Sequence, residues 1–411
     1  MKTLIIKTIS LLLLLLLLTG CTVQMAPLEE DPPPTGTNQP STPPEIPPES
    51  KDTPVAPALT PRETLIRSCQ QFMTTEEKVG QLFFVRCPEV NAALDVEEYH
   101  LGGLLLFGRD FKDRTAEAVT GNIESYQRAA RSEFPLPLLV GVDEEGGSVV
   151  RVSSNRNLWD HTFASPQKLY GEGGLDRVRE DAAEKCRMLN TYGINVNFAP
   201  VADVSTNPGD FIYKRSLGQD AETTAAYTAA VVGVMDENGV GAVLKHFPGY
   251  GNNADTHTGI AVDSREYGQF VEEDFLPFQS GMAAGNAAML VSHNIVTCMD
   301  DTLPASLSPE VHRVLREELG FDGVVLTDDL AMGAIDQYTN DGSAAVLAIL
   351  AGNDMVVTTD YHRQIPLVVA AVETGEIPME IIDAALGRVI GWKYDLGLID
   401  DGDIVTPEGL T

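Results

Sequence analysis

The sequence predicts a single (β/α)8 barrel of the TIM type. From about residue 61 onward, short apolar runs alternate with longer amphipathic segments. The apolar runs are rich in β-branched residues and are bounded by Gly or Pro, which is typical of strands buried on both faces of a parallel sheet. Eight such strands with helical crossovers in about 340 residues fit this barrel. A doubly wound open sheet with a similar number of strands is the alternative.

The elements follow one another in strand and helix order. The predicted strands are the runs at 79–87, 102–108, 136–143, 194–201, 241–247, 287–296, 323–329 and 354–359. Helices are predicted at 115–131, 173–192, 221–238, 265–284, 308–319 and 342–352, with a last helix near 379–394 that closes the domain. Ser308-Pro309 supports one of these helix starts, because serine caps helices and proline favours the first helical position.

The N-terminus predicts export and lipid attachment. Two lysines, Lys2 and Lys7, precede eight consecutive leucines at 11–18, and Leu18-Thr19-Gly20-Cys21 follows. A basic start, a short apolar stretch and small residues before a cleavage point are typical of a secretory signal peptide. The last four residues resemble the lipobox of bacterial lipoproteins, in which the cysteine is lipidated and becomes the new N-terminus. Cys21 is therefore the predicted lipidation site, and an ordinary signal peptide or membrane anchor is the alternative.

Composition divides the rest of the chain. Residues 22–60 hold 11 of the 25 prolines and almost no large apolar residues, so we expect an extended tether without a core. Residues 1–21 are then the signal peptide and lipobox, 61–400 the barrel and 401–411 a tail.

The formal net charge of −32 argues against nucleic acid as a partner and against docking on anionic lipid through the barrel. The remaining cysteines have no zinc-like spacing.

Polar side chains stand at the ends of several predicted strands. Strand three ends at Asp143, strand five at Lys245-His246, strand six at Ser292-His293 and strand seven at Asp328-Asp329. Asp203 and Lys214-Arg215 follow strand four. Because the carboxyl ends of barrel strands meet at one face, this set predicts a polar pocket for a small ligand that forms hydrogen bonds. Separate helix caps and turn residues are the alternative interpretation.

The stretch 245–259, KHFPGYGNNADTHTG, adds a second kind of chemistry. Its glycines and proline predict a flexible loop after the rigid strand end. Asp255 and His257 are two residues apart, so in an extended loop their side chains project to the same side. A carboxylate that accepts from one imidazole nitrogen leaves the other nitrogen to act as a general acid or base. Alone, the pair could equally be part of a solvated loop.

A proton donor on a loop and a carboxylate on an opposite strand end form one arrangement for retaining glycoside cleavage. In that interpretation the carboxylate attacks the anomeric carbon, and the acid protonates the leaving oxygen. The charged strand-end residues would bind sugar hydroxyls and an acyl group, as fork and point donors do. Those residues are Asp143, Arg215, Lys245 and His246.

Several motifs resemble the family 3 glycoside hydrolases, and more narrowly the bacterial β-N-acetylglucosaminidase (β-N-acetylhexosaminidase) branch. They are MTTEEKVGQLFFV (73–85), GVDEEGG (141–147), NFAPVADV (197–204), KRSLG (214–218), KHFPGYG (245–251) with the following DTH, and GVVLTDDLAM (323–332). The resemblance runs in order from about residue 70 to 397. It implies a (β/α)8 barrel that needs no metal or organic cofactor, and we expect a monomer.

The resemblance assigns roles residue by residue. It implies Asp328 as the nucleophile, a choice that the pattern of Asp328-Asp329 alone could not make. It implies His257 as the acid/base and Asp255 as the partner that orients it. Residues at positions that bind the sugar are Asp143, Arg151, Arg215, Lys245 and His246. The chain departs from the family pattern at Ser148, Leu217, Tyr250 and Asn252-Asn253, which bears on substrate selection more than on the reaction.

The expected substrate is a glycan with a terminal β-linked N-acetylglucosamine, such as a peptidoglycan fragment met outside the cytoplasm. Two other functions remain open at this stage. One is a metal-dependent barrel hydrolase, which would predict bound metal and loss of activity with chelator. Its ligands would be His246, Asp255, His257, His293 and Asp328. The other is a surface lipoprotein whose pocket captures sugar without cleaving it.

Overall fold

The computed structural model describes residues 59–132, 136–253, 261–331, 335, 338 and 343–399. All of them lie in one compact unit, Ala58–Thr411. Within these ranges no helix is long and apolar enough to cross a membrane. The predicted signal peptide with Cys21, nearly all of the tether and the tail lie outside the described residues and stay predictions.

Eight parallel strands form the predicted barrel. They are β1 (Phe83–Arg86), β2 (Gly103–Leu106), β3 (Leu139–Val142), β4 (Val196–Asn197), β5 (Gly241–Phe247), β6 (Ala287–Val291), β7 (Val325–Thr327) and β8 (Val356–Thr358). Each strand from β1 to β6 pairs with the next strand along the chain, and β8 pairs with β1. A parallel bridge between Leu326 and Met355 joins β7 to β8 and completes the ring. This closure confirms the barrel and excludes the open doubly wound sheet.

Helices surround the strands and extend the predicted set. The α-helices are Pro61–Phe72, Thr75–Gln81, Ala92–Glu98, Gly108–Phe111, Ala116–Ala130, Pro166–Thr191, Ala221–Glu237, Tyr267–Gln269, Phe275–Met282, Pro309–Arg313, Ala344–Ala351, Tyr361–Glu373 and Met379–Asp395. Short 3₁₀ turns occupy Ile212–Lys214 and Ala305–Leu307, and π-helical turns occupy Phe270–Asp274 and Val314–Glu318. Two further short strands, Val262–Asp263 and Ile295–Val296, pair with each other outside the barrel.

Local chemistry explains where helices begin and break. The Ser308 hydroxyl accepts from the Val311 N–H at 3.2 Å with Pro309 in the first turn, which confirms the predicted start. The helix predicted at 173–192 begins earlier, at Pro166, and its path breaks at Gly173 and Gly174. Gly174 has a φ of 63°, so the predicted start coincides with this break rather than with the beginning of the helix.

Two phenyl rings fill the barrel interior. Phe84 on β1 and the ring of Phe198, just after β4, meet edge to face with centroids 5.2 Å apart. Gly103 and Gly141 make room for them, because a Cβ on Gly141 would stand 2.8 Å from the Phe198 ring and 2.9 Å from the Phe84 ring. The residues without side chains on β2 and β3 therefore set how closely the strands pack around these rings.

Substituting Gly141 tests this packing. We expect Gly141→Ala to lower the free energy of unfolding by about 1–3 kcal/mol, because the added methyl group overpacks the barrel. Gly121→Ala is the matched control, since nothing lies within 4 Å of its Cβ position on the helix Ala116–Ala130. That change should be neutral or stabilise by up to about 1 kcal/mol. Urea unfolding measures both, and equal effects would contradict the packing argument.

Candidate active site

The barrel brings the predicted polar residues to one face. Asp143 directly follows β3, Lys245 and His246 lie in β5, and Asp328 directly follows β7. Asp203 follows Val201, which bridges to Lys245. Since all eight strands are parallel, their carboxyl ends form a single mouth, and these side chains stand around it.

A buried ion cluster forms the floor of this mouth. The Lys245 ammonium lies 2.8 Å from Asp143 Oδ1 and 2.7 Å from Glu145 Oε1. Arg215 adds a fork, donating from Nε at 3.0 Å and from Nη2 at 2.6 Å to the two Glu145 oxygens. The Lys245 and Glu145 side chains are 3% and 1% exposed, whereas Asp143 is 16% exposed. Asp143 is thus the acidic member of the cluster that a ligand can reach.

The charges in the cluster determine one another's protonation. Burial raises the pKa of Glu145, but Lys245 and Arg215 outweigh burial and bring that pKa down to about 2. Burial lowers the pKa of Lys245, but Asp143 and Glu145 outweigh it and raise that pKa above its ordinary value. At neutral pH the floor therefore holds two ionised cations and their carboxylate partners in fixed positions.

Glu144 is fully buried and fixes the loop that carries Arg151. Its buried carboxylate accepts from the Arg151 and Val152 N–H groups at 2.8 Å each and from the Ser153 hydroxyl. Burial raises the pKa of Glu144, and these hydrogen bonds oppose that rise. The loop returns Arg151 to the mouth, where its Nη2 lies 3.5 Å from Asp143 Oδ2.

Asp203 orients His246. The imidazole Nδ1 lies 2.7 Å from Asp203 Oδ2, and Arg215 Nη2 lies 3.4 Å from its Nε2. Because an arginine only donates, Nε2 accepts and the proton stands on Nδ1, where it is donated to Asp203. Asp203 also accepts from the backbone N–H groups of His246 and Tyr250, at 3.1 and 2.7 Å. The strand end and the start of the following loop therefore share one buried carboxylate.

The two aspartates after β7 have different surroundings. The Asp328 N–H donates to the Val291 carbonyl at 2.9 Å, and Asp328 Oδ1 accepts from the Asp329 N–H at 2.8 Å. The Asp329 carboxylate accepts from the Ala331 N–H at 2.9 Å, and its carbonyl accepts from His293 Nε2 at 3.0 Å. Burial is the main cause that raises the pKa of Asp329, and the neighbouring Asp328 charge raises it further.

Five of the predicted site residues converge with Asp328 at this mouth: Asp143, Arg151, Arg215, Lys245 and His246. Asp255 and His257 lie outside the described residues, so their assigned roles stay predictions. The described chain reaches Asn253 on one side of them and resumes at Ala261 on the other.

The sequence interpretation missed two features of the mouth. Glu145 was not singled out, although it belongs to the quoted GVDEEGG motif and its burial between two cations makes it the centre of the cluster. The second feature is a platform on Phe107, over which the Arg86 and Arg151 guanidinium groups lie with their carbons 4.2 and 5.6 Å from the ring centroid. Only the position of Arg86 at the end of β1 could have pointed to it.

Three of the positions that depart from the family pattern, Tyr250, Leu217 and Ser148, have different surroundings. Tyr250 is buried against the rings of Phe211 and His246, with centroids 5.7 Å away in each case. Leu217 is fully buried, and Ser148 is exposed on the loop after β3. None of the three interrupts the ion cluster.

Comparison with known proteins places the chain. A family model described as the glycosyl hydrolase family 3 N terminal domain matches residues 74–391. The chain belongs to glycosyl hydrolase family 3. This membership confirms the family predicted from the motifs.

Relatives of this family 3 chain include proteins named beta-hexosaminidase. The one from Mycobacterium tuberculosis, LpqI, is 33% identical over 353 residues, covering 80% of this chain and 86% of the relative. One from Xanthomonas campestris is 30% identical over 310 residues, covering 74% and 86%. A solved family 3 β-N-acetylglucosaminidase from Paenibacillus matches with a TM-score of 0.74 and 32% identity, covering 82% of this chain and 67% of that one. These relatives confirm the predicted branch of the family.

The structure describes only part of the ligand set that the metal-dependent alternative requires. In the described part of this family 3 chain, no group of three or more His, Cys, Asp and Glu side chains is arranged to hold a metal ion. Two of the five ligands it requires, Asp255 and His257, lie outside that part. The four cysteines that the structure describes are free thiols, three of them buried.

Neutralising Glu145 tests the ion cluster. Its folded pKa, about 2, lies below the ordinary 4.5, so the ionised group stabilises the fold above pH 4.5. That contribution is about 3 kcal/mol and is lost as the pH falls through about 2. We expect Glu145→Gln to be destabilised by about this amount at pH 7, with the difference from the native chain shrinking below pH 4.5.

Chemical denaturation across this pH range measures the effect. Glu172→Gln is the control, because that carboxylate is exposed on the helix Pro166–Thr191 and pairs only loosely, at 3.7 Å, with Lys168. A Glu145→Gln deficit that stays constant from pH 7 to pH 3 would contradict the proposed stabilisation of the charged form.

Proposed function

We propose that the protein is a retaining exo-β-N-acetylhexosaminidase that removes terminal β-linked N-acetylglucosamine. The observation that carries this proposal is the convergence of Asp328 with Lys245, His246, Arg215, Asp143 and Arg151 at one barrel mouth in a chain of family 3. The names of the relatives from Mycobacterium and Xanthomonas support the same activity.

In the proposed reaction the floor of the mouth binds the sugar before any bond changes. Asp143 accepts from sugar hydroxyls, and the cations of Lys245, Arg215 and Arg151 donate to hydroxyl and acyl oxygens. His246 is held by Asp203 in one orientation, which limits the ways a ring can lie against it. Because the charges are already paired and buried, binding needs little reorganisation of the protein.

Cleavage then takes two displacements. The Asp328 carboxylate attacks the anomeric carbon, the glycosidic C–O bond breaks, and the leaving oxygen takes a proton from His257. His257 next removes a proton from water, the water oxygen attacks the anomeric carbon, and the bond to Asp328 breaks. Two inversions give net retention and return both residues to their starting states. Asp255 would hold the imidazole in the required orientation.

We also propose that the enzyme acts outside the cytoplasm from a lipid anchor. Cys21 follows a sequence typical of a bacterial lipobox, and the 22–60 segment could place the barrel on the order of 100 Å from the membrane if extended. The expected position is the outer face of the cytoplasmic membrane or the periplasmic side of an envelope membrane. Peptidoglycan fragments and other amino-sugar glycans are the substrates available there, and a muropeptide is the expected ligand.

Substrate choice tests the activity. We expect turnover of an aryl N-acetyl-β-glucosaminide that exceeds turnover of the matching β-glucoside and β-xyloside by about 100-fold or more, since the acyl group is recognised. Chelator should leave the rate unchanged. Loss of activity with chelator would favour the metal-dependent hydrolase, and binding without turnover would favour a sugar-capturing lipoprotein.

An activated fluorosugar tests the nucleophile. Covalent label should be found on Asp328, and Asp328→Asn should lose about a thousandfold or more in kcat/KM. Asp329→Asn is the matched control next in the chain, and we expect it to keep far more activity because its carboxylate already serves the Ala331 N–H. Label on another residue, or an equal loss in the two variants, would overturn the assignment.

Replacing the lipobox cysteine tests the anchor. In a bacterial host, the native chain should fractionate with membranes and be released by detergent, whereas Cys21→Ala should appear in the soluble extracytoplasmic fraction. Cys298→Ala, which changes a half-buried thiol of the barrel, should stay with the membranes. Membrane retention of Cys21→Ala would favour an uncleaved anchor instead.

A further inference from the structure

Three charged side chains lie where the two ends of segment 254–260 meet the described structure. Asp263 and Arg265 follow the segment, and Asp274 lies at the end of the π-helical turn Phe270–Asp274. We call these three residues the stem cluster. The carboxylates of Asp263 and Asp274 are each 1% exposed, and the Arg265 side chain is 16% exposed. The two carboxylates are therefore buried and the guanidinium is partly buried, and all three lie outside the ion cluster of the mouth.

Arg265 joins the two carboxylates. Its Nε lies 3.1 and 3.0 Å from the two Asp263 oxygens, and its Nη2 lies 2.8 Å from Asp263 Oδ2. Its Nη1 donates to Asp274 Oδ2 at 2.7 Å, and its guanidinium carbon stands 4.3 Å from the Phe270 ring centroid. A planar fork that bridges two acids while stacking on a ring is a geometry that arginine provides and lysine does not.

The chain that leads into the segment packs directly on this cluster. Arg265 Nη2 lies 3.4 Å from the Gly249 carbonyl, and Asn253 Nδ2 donates to Asp263 Oδ2 at 3.0 Å. A Cβ on Gly249 would stand 2.2 Å from Asp274 Oδ1, and one on Gly251 would stand 2.6 Å from the Arg265 guanidinium. Both glycines also have positive φ, 128° and 53°. The backbone can therefore touch the cluster only because these positions lack side chains.

The chain that leaves the segment is fixed to the same place. The Ile295 N–H donates to the Ala261 carbonyl at 2.9 Å, and the Thr297 N–H donates to the Asp263 carbonyl at 2.9 Å. These bonds attach the exit to the strand Ile295–Val296, which follows β6. Entry and exit thus both contact the partly buried Arg265 guanidinium, the entry through the Gly249 carbonyl and the exit through the Asp263 carboxylate.

The stem cluster holds two buried carboxylates and a single cation. Burial raises the pKa of Asp274 to about 7, and the nearby Arg265 charge opposes that rise. Asp274 Oδ1 is buried and accepts no hydrogen bond from the described residues. Removing the guanidinium would leave Asp263 buried beside this second acid without its cation, so the cluster could not keep its arrangement.

We infer that Arg265 is a positioning residue for proton transfer, because it clamps together the two ends of the segment that carries Asp255 and His257. This inference rests on the proposed function. It separates two tasks: the mouth binds the sugar through residues that do not touch Arg265, and the stem cluster sets where the acid/base segment begins and ends. A displacement of about 1 Å in such a group can cost on the order of 100-fold in rate.

The leaving group provides the test. We expect Arg265→Lys to lower kcat/KM by about 10- to 100-fold for an N-acetyl-β-glucosaminide with an unactivated alkyl leaving group, which needs the proton. With a dinitrophenyl leaving group, which departs without it, the change should be less than about threefold. Inhibition by free N-acetylglucosamine should be unchanged, because the mouth is intact.

Two further variants keep the test independent of folding. Arg313→Lys is the matched control, since Arg313 also bridges two carboxylates, Glu310 and Glu318 at 2.6 and 2.8 Å, but on the surface. Arg313→Lys should change kcat/KM for neither substrate. Among the described residues, Asn253→Ala removes the 3.0 Å side-chain bond to Asp263, and it should show a smaller loss with the same leaving-group dependence.

The outcomes distinguish the inference from the proposed function. His257→Ala shows what a missing proton donor does: its kcat/KM should fall far more with the alkyl leaving group than with the dinitrophenyl group. If His257→Ala loses activity equally on both substrates, His257 is not the proton donor and the inference has no basis. A second outcome is that His257→Ala shows this dependence on the leaving group while Arg265→Lys and Asn253→Ala lose activity equally on both substrates, or lose only thermal stability. In that case the positioning role of Arg265 is wrong and the proposed function stands.

Discussion

The ammonium of Lys245 between Asp143 and Glu145 is the interaction on which the rest of the mouth depends. A buried cation is tolerated only with partners, and Lys245 takes its two from the loop and strand end of β3, more than ninety residues earlier in the chain. Glu145 in turn needs Arg215, whose Nη2 also lies beside His246. One compensated charge therefore fixes the relative positions of the ends of β3 and β5 and of the loop after β4. Removing Glu145 would leave Arg215 without its carboxylate and Lys245 with Asp143 alone, and breaking a buried ion pair in this way is strongly destabilising.

This arrangement also divides the acidic residues by task. Glu144 and Glu145 are both buried, one holding a loop and the other neutralising cations, whereas Asp143 keeps part of its carboxylate accessible. Asp143 and Glu145 thus share the ion cluster, whereas Glu144 between them binds the loop that carries Arg151. A sugar hydroxyl would meet the one carboxylate that is anchored by Lys245 and still open to a ligand.

The barrel and the residues at its mouth could be predicted from the sequence for simple physical reasons. Apolar runs bounded by Gly and Pro mark buried parallel strands, and parallel strands bring their carboxyl ends together, so Asp143, Lys245 and Asp328 could be placed at one face. The pairing of His246 with Asp203 and the burial of Glu145 could not be read in the same way, because they depend on contacts between residues 43 and 100 positions apart. The same holds for Phe84 and Phe198, whose packing requires glycines on two other strands.

The glycines of KHFPGYG illustrate how one pattern supports two interpretations. In the sequence they predict a flexible loop, since glycine widens the accessible backbone conformations. In the fold, Gly249 and Gly251 lie against Asp274 and Arg265 at distances that no side chain would allow, so they permit close contact and the stretch up to Gly251 is buried. Backbone freedom and close approach both select glycine, and only the neighbouring charges distinguish them. A rigid stem beside the mouth is what proton transfer requires, because an acid is useful only if it returns to the same oxygen in every turnover.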